Sequence, residues 1–242
     1  MKKQIFLITL LFTILVSLSG CQFIPHHYTN IGPTIKKNMT QQNFNEIDAD
    51  VSLLDFNLQV SDHPKVIYHG GKKIMPIVKV RNGKLIIRDH HHVLININSN
   101  ENNYLTIYLP KKQLAKIKIN TDEGDITCYG QVKTKKLAFH SDDGDINADY
   151  FNVTNGSVSS DDGDIQIKDL RSLAGFKATS SDGDISIKKC DASGVDLNSD
   201  DGDVIYHRHN YNNDDGGFYQ HNLHSKNVLI ANSDDGDIKV NN

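Results

Sequence analysis

Close variants of one hexapeptide, Ser-Asp-Asp-Gly-Asp-Ile, recur in the second half of the chain and restrict its fold more than any other feature. The motif glycines are Gly124, Gly144, Gly163, Gly183, Gly202 and Gly236. The first five are almost evenly spaced, whereas the interval from Gly202 to Gly236 is much longer. Because a unit of this size cannot bury its apolar side alone, the repeats predict a stack of rungs, that is, a solenoid.

Apolar residues occupy fixed positions around each motif glycine. Two positions after it stand Ile126, Ile146, Ile165, Ile185, Val204 and Ile238, and five positions before it stand Ile119, Phe139, Val158, Ala178, Leu197 and Ala231. Further apolar columns stand four positions after and seven positions before. Since residues two apart in a strand share a face, each copy predicts strand, tight turn, strand. The set predicts a parallel single-chain β-solenoid of about six rungs with ~20 residues each.

The turn carries two further predictions. A glycine in a tight turn suggests a positive φ, which glycine adopts without steric cost. Three positions before each glycine is a small hydroxyl residue, which is predicted to satisfy backbone groups at the corner. This column is Thr121, Ser141, Ser160, Ser180, Ser199 and Ser233.

The whole chain divides into four segments. The sequence predicts a signal peptide over residues 1–20, a flexible tether over 21–44, an antiparallel β region over 45–110 and the solenoid over 111–242, with a loop insertion at 206–225. In the antiparallel region, Asn82-Gly83 stands between two apolar runs, which is typical of a hairpin. The predicted fold class is therefore all-β.

The N-terminus has the features of an export signal. Two lysines precede an apolar run from Ile5 to Val16, which is too short to span a bilayer. Residues 18–21, Leu-Ser-Gly-Cys, resemble the bacterial lipobox, in which the cysteine is acylated. We therefore expect an exported protein that is lipid-anchored through Cys21 to the cell membrane or the outer membrane and faces away from the cytoplasm. An ordinary cleaved signal peptide is the alternative.

Charge and cysteine content limit the possible chemistry. The formal net charge is -4, so there is no basic excess of the kind that would indicate nucleic acid. The two other cysteines, Cys128 and Cys190, fall about three rungs apart, a separation of roughly 14 Å at the usual strand spacing. A disulfide requires Cα atoms within about 7 Å, so these thiols are predicted to be unpaired.

The motif also stacks carboxylates along one edge. Candidate ligands for a row of weak Ca²⁺ sites are Asp142, Asp143, Asp145, Asp161, Asp162, Asp164, Asp182, Asp184, Asp200, Asp201 and Asp203. Calcium takes six to eight oxygen ligands, and neighbouring rungs could supply some of them. The alternative is turn chemistry, because Asp-Asp-Gly suits tight turns and exposed acids keep the edge soluble.

The long last interval contains an insertion rich in aromatic residues and histidine. Its candidate binding residues are His207, His209, Tyr211, Phe218, Tyr219, His221 and His224. Loops on a rigid scaffold often carry binding functions, so this one could contact a glycan or a protein. Imidazoles could also hold Zn²⁺ or Cu²⁺, although the spacing matches no known metal motif, and a polar hairpin is the alternative.

The stretch Leu105–Pro110, Leu-Thr-Ile-Tyr-Leu-Pro, followed by the Gly-Asp-Ile repeats resembles the DUF4097/DUF4098 family of adhesin-like β-strand-repeat proteins. The resemblance covers residues 45–242. It implies a β-solenoid at the cell surface, links some relatives to envelope-stress sensing, and brings no catalytic residues.

Three functional hypotheses follow. The first is a non-catalytic, lipid-anchored scaffold that binds an envelope or host-surface glycan or protein. The second is an envelope-stress sensor or regulator whose acidic edge binds cationic peptides or a protein partner. The third is a Ca²⁺-dependent polysaccharide-active enzyme. Every repeat carries the same acids, whereas catalysis needs one distinct arrangement of base, acid and stabiliser, and this argues against an enzyme.

Overall fold

The computed structural model describes residues 31–89, 103–213 and 216–241. Its elements in chain order are β1 (Thr34–Thr40), β2 (Glu46–Val51), β3 (Asp55–Ser61), β4 (Lys65–Gly71), a 3₁₀ turn (Lys72–Ile74), β5 (Ile77–Arg81), β6 (Lys84–Arg88), β7 (Tyr104–Pro110), β8 (Leu114–Thr121), β9 (Ile126–Ser141), β10 (Ile146–Ser160), β11 (Ile165–Ser172), β12 (Phe176–Ser180), β13 (Ile185–Ile187), β14 (Gly194–Ser199), β15 (Val204–Tyr206), β16 (His209–Asn210), β17 (Asn212–Asn213), β18 (Gly216–His221), β19 (Val228–Ser233) and β20 (Ile238–Val240). The predicted all-β class is confirmed. The predicted signal peptide and Cys21 lie outside the described residues. Within these ranges no helix has the length and apolar character of a membrane span.

Parallel strands stack in two rows, one on each side of the motif turn. Before the turn the order is β6, β2, β8, β9, β10, β12, β19, β14, and after it the order is β7, β3, β9, β10, β11, β13, β20, β15. Matching columns pair directly, as in Ile146 with Ile165 and Val158 with Ala178. The predicted in-register parallel solenoid is therefore confirmed, and we name each rung by its motif glycine.

The middle rungs have a third row of strand that the sequence columns did not reveal. After a bend, β9, β10 and β11 continue with a second run of parallel pairs, which includes Tyr150 with Gln131 and with Asp169. This row places Val132, Phe151 and Leu170 fully inside the core. The ring of Phe151 lies 5.9 Å from that of Phe139 and 6.0 Å from that of Phe176, so the three rings form an aromatic cluster inside the core.

The N-terminal region combines antiparallel and parallel pairing. Antiparallel pairing occurs between β1 and β4, β4 and β7, and β5 and β6. The β5–β6 hairpin turns at Asn82 and Gly83 with φ values of 50° and 74°, as the Asn-Gly signal predicts. However, β2 and β3 pair in parallel with β8 and β9. The stack therefore begins well before residue 111.

The predicted tether of residues 21–44 is wrong over its second half. Strand β1 occupies Thr34–Thr40 and pairs antiparallel with β4. Ile31 and Phe44, on either side of this strand, are only 8% and 2% exposed. Burial of these apolar side chains and the pairing of β1 fix the chain from residue 31 onward.

The C-terminal rung does not lie at the end of the stack. Strands β19 and β20 of the Gly236 rung lie between β12/β13 and β14/β15. The terminal rung is thus the Gly202 rung, which precedes it in sequence. The insertion covers that rung, since β18 pairs antiparallel with β14 and β16 pairs antiparallel with β15. We call β16, β17 and β18 the C-terminal cap.

The two cysteines in the described ranges are unpaired, as predicted. Cys128 and Cys190 are both buried and free. Burial raises the pKa of the Cys190 thiol to about 11 and raises that of Cys128 further still. Both side chains therefore serve as small core residues in their protonated form.

Candidate functional site

The motif turns stack into one continuous edge, which we call the acidic corner. Each corner bonds to the one before it through the backbone: the Asp143 amide donates to the Asp122 carbonyl at 2.8 Å, and the Asp162 amide donates to the Asp142 carbonyl at 2.9 Å. The same connection links the Gly183, Gly236 and Gly202 rungs. The corner is thus a ladder along the stack, with one step per rung.

The motif glycines are needed for close approach and not for a positive φ. The sequence-based expectation of a positive φ is wrong, because all six have ordinary φ values. A Cβ on Gly144 would instead lie closer than 3.0 Å to the carbonyl oxygen of Gly124 in the preceding rung, a separation that real Cβ atoms do not reach. The other five glycines meet the neighbouring corner in the same way. Any side chain at these positions would push two rungs apart.

The buried hydroxyl column joins neighbouring corners, as the sequence predicts. The Ser160 hydroxyl accepts a hydrogen bond from the Gly163 amide at 3.0 Å and donates one to the Gly144 carbonyl at 2.9 Å. Equivalent pairs of bonds form at Thr121, Ser141, Ser180, Ser199 and Ser233. Each hydroxyl residue is at most 5% exposed, so each satisfies two buried backbone groups.

The aspartate that follows each motif glycine takes part in a hydrogen-bonded ladder between neighbouring rungs. Its Oδ1 accepts the backbone amide of the equivalent aspartate one rung further, with nitrogen–oxygen distances between 2.8 and 3.1 Å. The series starts at Asp55 and continues through Asp125, Asp145, Asp164, Asp184, Asp237 and Asp203. Burial raises the pKa of Asp55, with the neighbouring Asp125 charge adding to the effect. The hydrogen bond from Lys239, together with the Asp203 amide, lowers the pKa of Asp237.

The eleven aspartates predicted as calcium ligands divide into two sets. Asp145, Asp164 and Asp184 accept backbone amides of the next rung through Oδ1, and Asp203 Oδ1 accepts the side-chain amide of Asn212. The other seven, Asp142, Asp143, Asp161, Asp162, Asp182, Asp200 and Asp201, point outward, and Asp142 contacts His140 Nε2 at 2.9 Å. In the described part of the chain, no three Asp, Glu, His or Cys side chains converge closely enough to hold a metal ion. The geometry therefore favours turn chemistry and gives the calcium prediction no support.

The C-terminal cap closes the core with an aromatic stack. The ring of Tyr219 lies 4.9 Å from that of Tyr206 and 4.2 Å from that of Tyr211. Tyr211 and Tyr219 are half-buried and pack against the hydrophobic core. Two of the predicted binding residues therefore cover the end of the solenoid.

The remaining predicted binding residues lie on the outer surface of the insertion. Phe218 is 48% exposed, and His207, His209, His221 and His224 are all exposed. His207 and Arg208 form the turn between β15 and β16, with positive φ values of 50° and 68°. The structure thus presents one large apolar ring and several imidazoles to solvent at this end of the stack.

One residue that holds the cap was missed by sequence reasoning. The Asn212 side chain accepts the Val204 amide at 2.9 Å through Oδ1 and donates through Nδ2 to the Asp203 carboxylate. It thereby occupies the acceptor of the last aspartate in the ladder, where a further rung would otherwise bond. An asparagine in a polar insertion carries no signal for this role.

Solved bacterial structures resemble the chain at low sequence identity. An adhesin candidate from Bacteroides fragilis is 16% identical with a TM-score of 0.48, covering 87% of this chain and 97% of its own. A cell-adhesion candidate from Clostridium sporogenes is 17% identical with a TM-score of 0.41, covering 86% and 99%. A lipid-binding candidate from Parabacteroides distasonis is 17% identical with a TM-score of 0.43, covering 86% and 97%.

No curated protein matches the chain significantly. A family model does match, and it spans residues 44–240, which include the described rungs and both ends of the stack. The chain therefore belongs to the Toastrack DUF4097 family.

Proposed function

We propose that the protein is a lipid-anchored, non-catalytic scaffold of the cell surface that binds an envelope or host-surface glycan or protein in the manner of an adhesin. The observation that carries this proposal is the exposed Phe218 and its neighbouring histidines, which lie at the end of the stack on a strand paired with the Gly202 rung. Large aromatic side chains give much contact area for little loss of conformational entropy, which suits them to binding surfaces.

The acidic corner supports a non-catalytic role. Acid–base catalysis needs unlike groups with different pKa values around one reacting centre. Here the aspartates after the motif glycines each accept the same hydrogen bond, from a backbone amide of the next rung. These carboxylates therefore stabilise the stack by hydrogen bonding.

A second candidate function is the binding of cationic peptides by an envelope sensor. The outer carboxylates of the acidic corner favour it, because Asp161, Asp162, Asp200 and Asp201 are exposed along the stack. Stacked like charges attract cations, and such binding weakens as salt rises.

Replacement of Phe218 tests the scaffold proposal. Cells that display the full chain should adhere to surface glycans or matrix proteins, and Phe218→Ala should weaken adhesion about tenfold or more, because an anchoring aromatic side chain is lost. Adhesion is measured on coated plates against cells without the protein. Leu173→Ala is the matched control, since Leu173 is 72% exposed but lies away from the cap.

Equal adhesion of the Phe218 variant and the wild type would show that the C-terminal cap is not the contact site. If the displayed chain instead captures a cationic peptide and releases it at high salt, with no effect of Phe218→Ala, the sensor function replaces the scaffold function.

Replacement of Cys21 tests the anchor. Cys21→Ser removes the thiol that would carry the acyl chains, so the chain should lose incorporation of labelled fatty acid. Acyl chains contribute about 0.8 kcal/mol per buried CH₂, and the variant should therefore leave the membrane fraction. Continued fatty-acid labelling of the Cys21→Ser chain would contradict lipidation at this residue.

A further inference from the structure

The outermost strands at the N-terminal end of the stack form a second cap. Among the described strands, β1 pairs only with β4, and β5 pairs only with β6, so both are edge strands. The 3₁₀ turn joins them to the start of the described chain: the Lys72 amide donates to the Pro33 carbonyl at 3.0 Å, and the Lys73 amide donates to the Ile31 carbonyl at 2.9 Å. We call β1, this turn and β5 the N-terminal cap.

The N-terminal cap is strongly basic, although the chain as a whole has a net charge of -4. Segments 31–44 and 65–83 contain seven lysine and arginine residues and neither aspartate nor glutamate. Six of the seven cations are exposed and lie on the three elements of the cap, namely Lys36, Lys37, Lys72, Lys73, Lys79 and Arg81. Within the described residues, none of these six forms an ion pair with an acidic side chain. Sequence reasoning missed the cluster because its members come from three separate segments.

The same end of the stack is covalently close to the proposed anchor. Nine residues lie between Cys21 and Ile31, and the ten Cα-to-Cα steps span at most about 35 Å when fully extended. Residues 21–44 contain no acidic side chain either. An acylated Cys21 would therefore keep the N-terminal cap within a short distance of the membrane surface.

We propose that the N-terminal cap docks on the anionic phospholipid headgroups of the membrane that holds the anchor. This inference rests on the proposed lipid anchoring. An acyl chain and a basic patch together form a two-part membrane attachment, in which each lysine or arginine near an anionic surface adds to binding. The C-terminal cap, at the opposite end of the rung order, is then directed away from the membrane and toward its binding partner.

The docking is tested with the full-length lipidated chain in vesicles. One chain carries a fluorescent thiol label at Asn38→Cys on β1, and a second carries it at His221→Cys on β18. Both sites are exposed, whereas Cys128 and Cys190 are buried. Vesicles contain a headgroup-attached quencher in phosphatidylcholine, with or without phosphatidylglycerol. We expect strong quenching at residue 38 only with phosphatidylglycerol, loss of that quenching at about 0.5 M salt, and no quenching at residue 221.

Charge variants separate docking from other roles of the lysines. Neutralising Lys36, Lys37, Lys72 and Lys73 with glutamine should weaken docking of the cap by about three orders of magnitude, as each lysine contributes roughly fivefold. Neutralising four exposed lysines of the middle rungs in the same way, Lys116, Lys133, Lys135 and Lys136, is the matched control and should leave quenching unchanged. Circular dichroism checks that both variants are folded.

Each contrary result has a distinct meaning. Equal quenching at residue 38 in neutral and anionic vesicles, or no change in the four-lysine cap variant, overturns the docking proposal while leaving the anchor intact. Edge lysines can also block strand pairing between copies. A cap variant that docks normally but self-associates in sedimentation assigns the lysines to that role and likewise overturns docking. A chain recovered with neither vesicle overturns the lipid anchor, and docking with it.

Discussion

Gly144→Ala is expected to destabilise the protein by at least about 3 kcal/mol, the upper range for an overpacked core. The new Cβ would meet the carbonyl oxygen of Gly124, which is backbone held by its own rung and cannot rotate away. Opening the two corners to make room would also stretch the bonds of Ser141, whose hydroxyl joins them at 3.0 and 2.9 Å. Urea denaturation of the purified chain, followed by circular dichroism, measures the loss.

Gly130→Ala is the matched control for this substitution. Gly130 has a φ of 75° but no atom within 4 Å of an added Cβ. Alanine there bears only backbone strain, which costs roughly 1–2 kcal/mol. If Gly130→Ala were the more damaging of the two, or if Gly144→Ala were tolerated, the close-stacking account of the motif glycines would be wrong.

Removal of residues 226–242 is expected to cost at least about 5 kcal/mol, a large part of the stability of an ordinary domain. These residues supply β19 and β20, which bond to a rung on either side. Their loss removes four buried apolar side chains, Leu229, Ala231, Ile238 and Val240. Full burial of a large aliphatic residue contributes about 1.5–3 kcal/mol, and both hydrogen-bond ladders are lost as well.

Limited proteolysis of the truncated chain measures this effect. Cleavage should appear within residues 190–225, because the Gly202 rung and the C-terminal cap lose the rung beneath them. A chain shortened only to Val240 is the control, since it keeps both strands and loses only one described bond, from the Asn241 amide to the Ile187 carbonyl. A stack built strictly in sequence order would merely fray at its last rung. An unchanged cleavage pattern would therefore contradict the observed rung order.

The parallel stack could be predicted from sequence because two independent periods agree. Alternation of side chains within each strand identifies the buried face, and the nearly constant interval between motif glycines fixes the register between rungs. Ile165, for example, pairs with Ile146 and Ile185 as its column predicts. The role of the hydroxyl column could also be predicted from sequence, since a serine at a fixed position before a turn glycine has few other roles.

The rung order could not be predicted in this way. The aligned columns indicate which positions pair between neighbouring rungs. They do not indicate which rungs are neighbours, because every rung order pairs the same columns. The long interval between Gly202 and Gly236 reveals an insertion and not its path. The third row was also hidden, because Val132, Phe151, Leu170 and Cys190 form a mixed column with no shared residue type.

The candidate site shows the same division between local pattern and topology. Sequence identified the stacked aspartates, but only coordinates reveal that Asp145 and Asp164 bond to amides of the following rung. It identified the aromatic insertion, but not that Tyr219 turns inward while Phe218 turns outward. Each distinction depends on a neighbour that is distant along the chain.

The interior position of the final rung limits how proteins of this design can change in length. Extra repeats added after Val240 could not extend the stack, because the strand that contains Ile238 is already paired along both of its edges. Longer or shorter descendants must instead gain or lose copies among the central rungs, where each corner offers its neighbour the same carbonyl, hydroxyl and carboxylate. Tandem duplication within residues 124–183 would lengthen the protein and leave both of its ends intact.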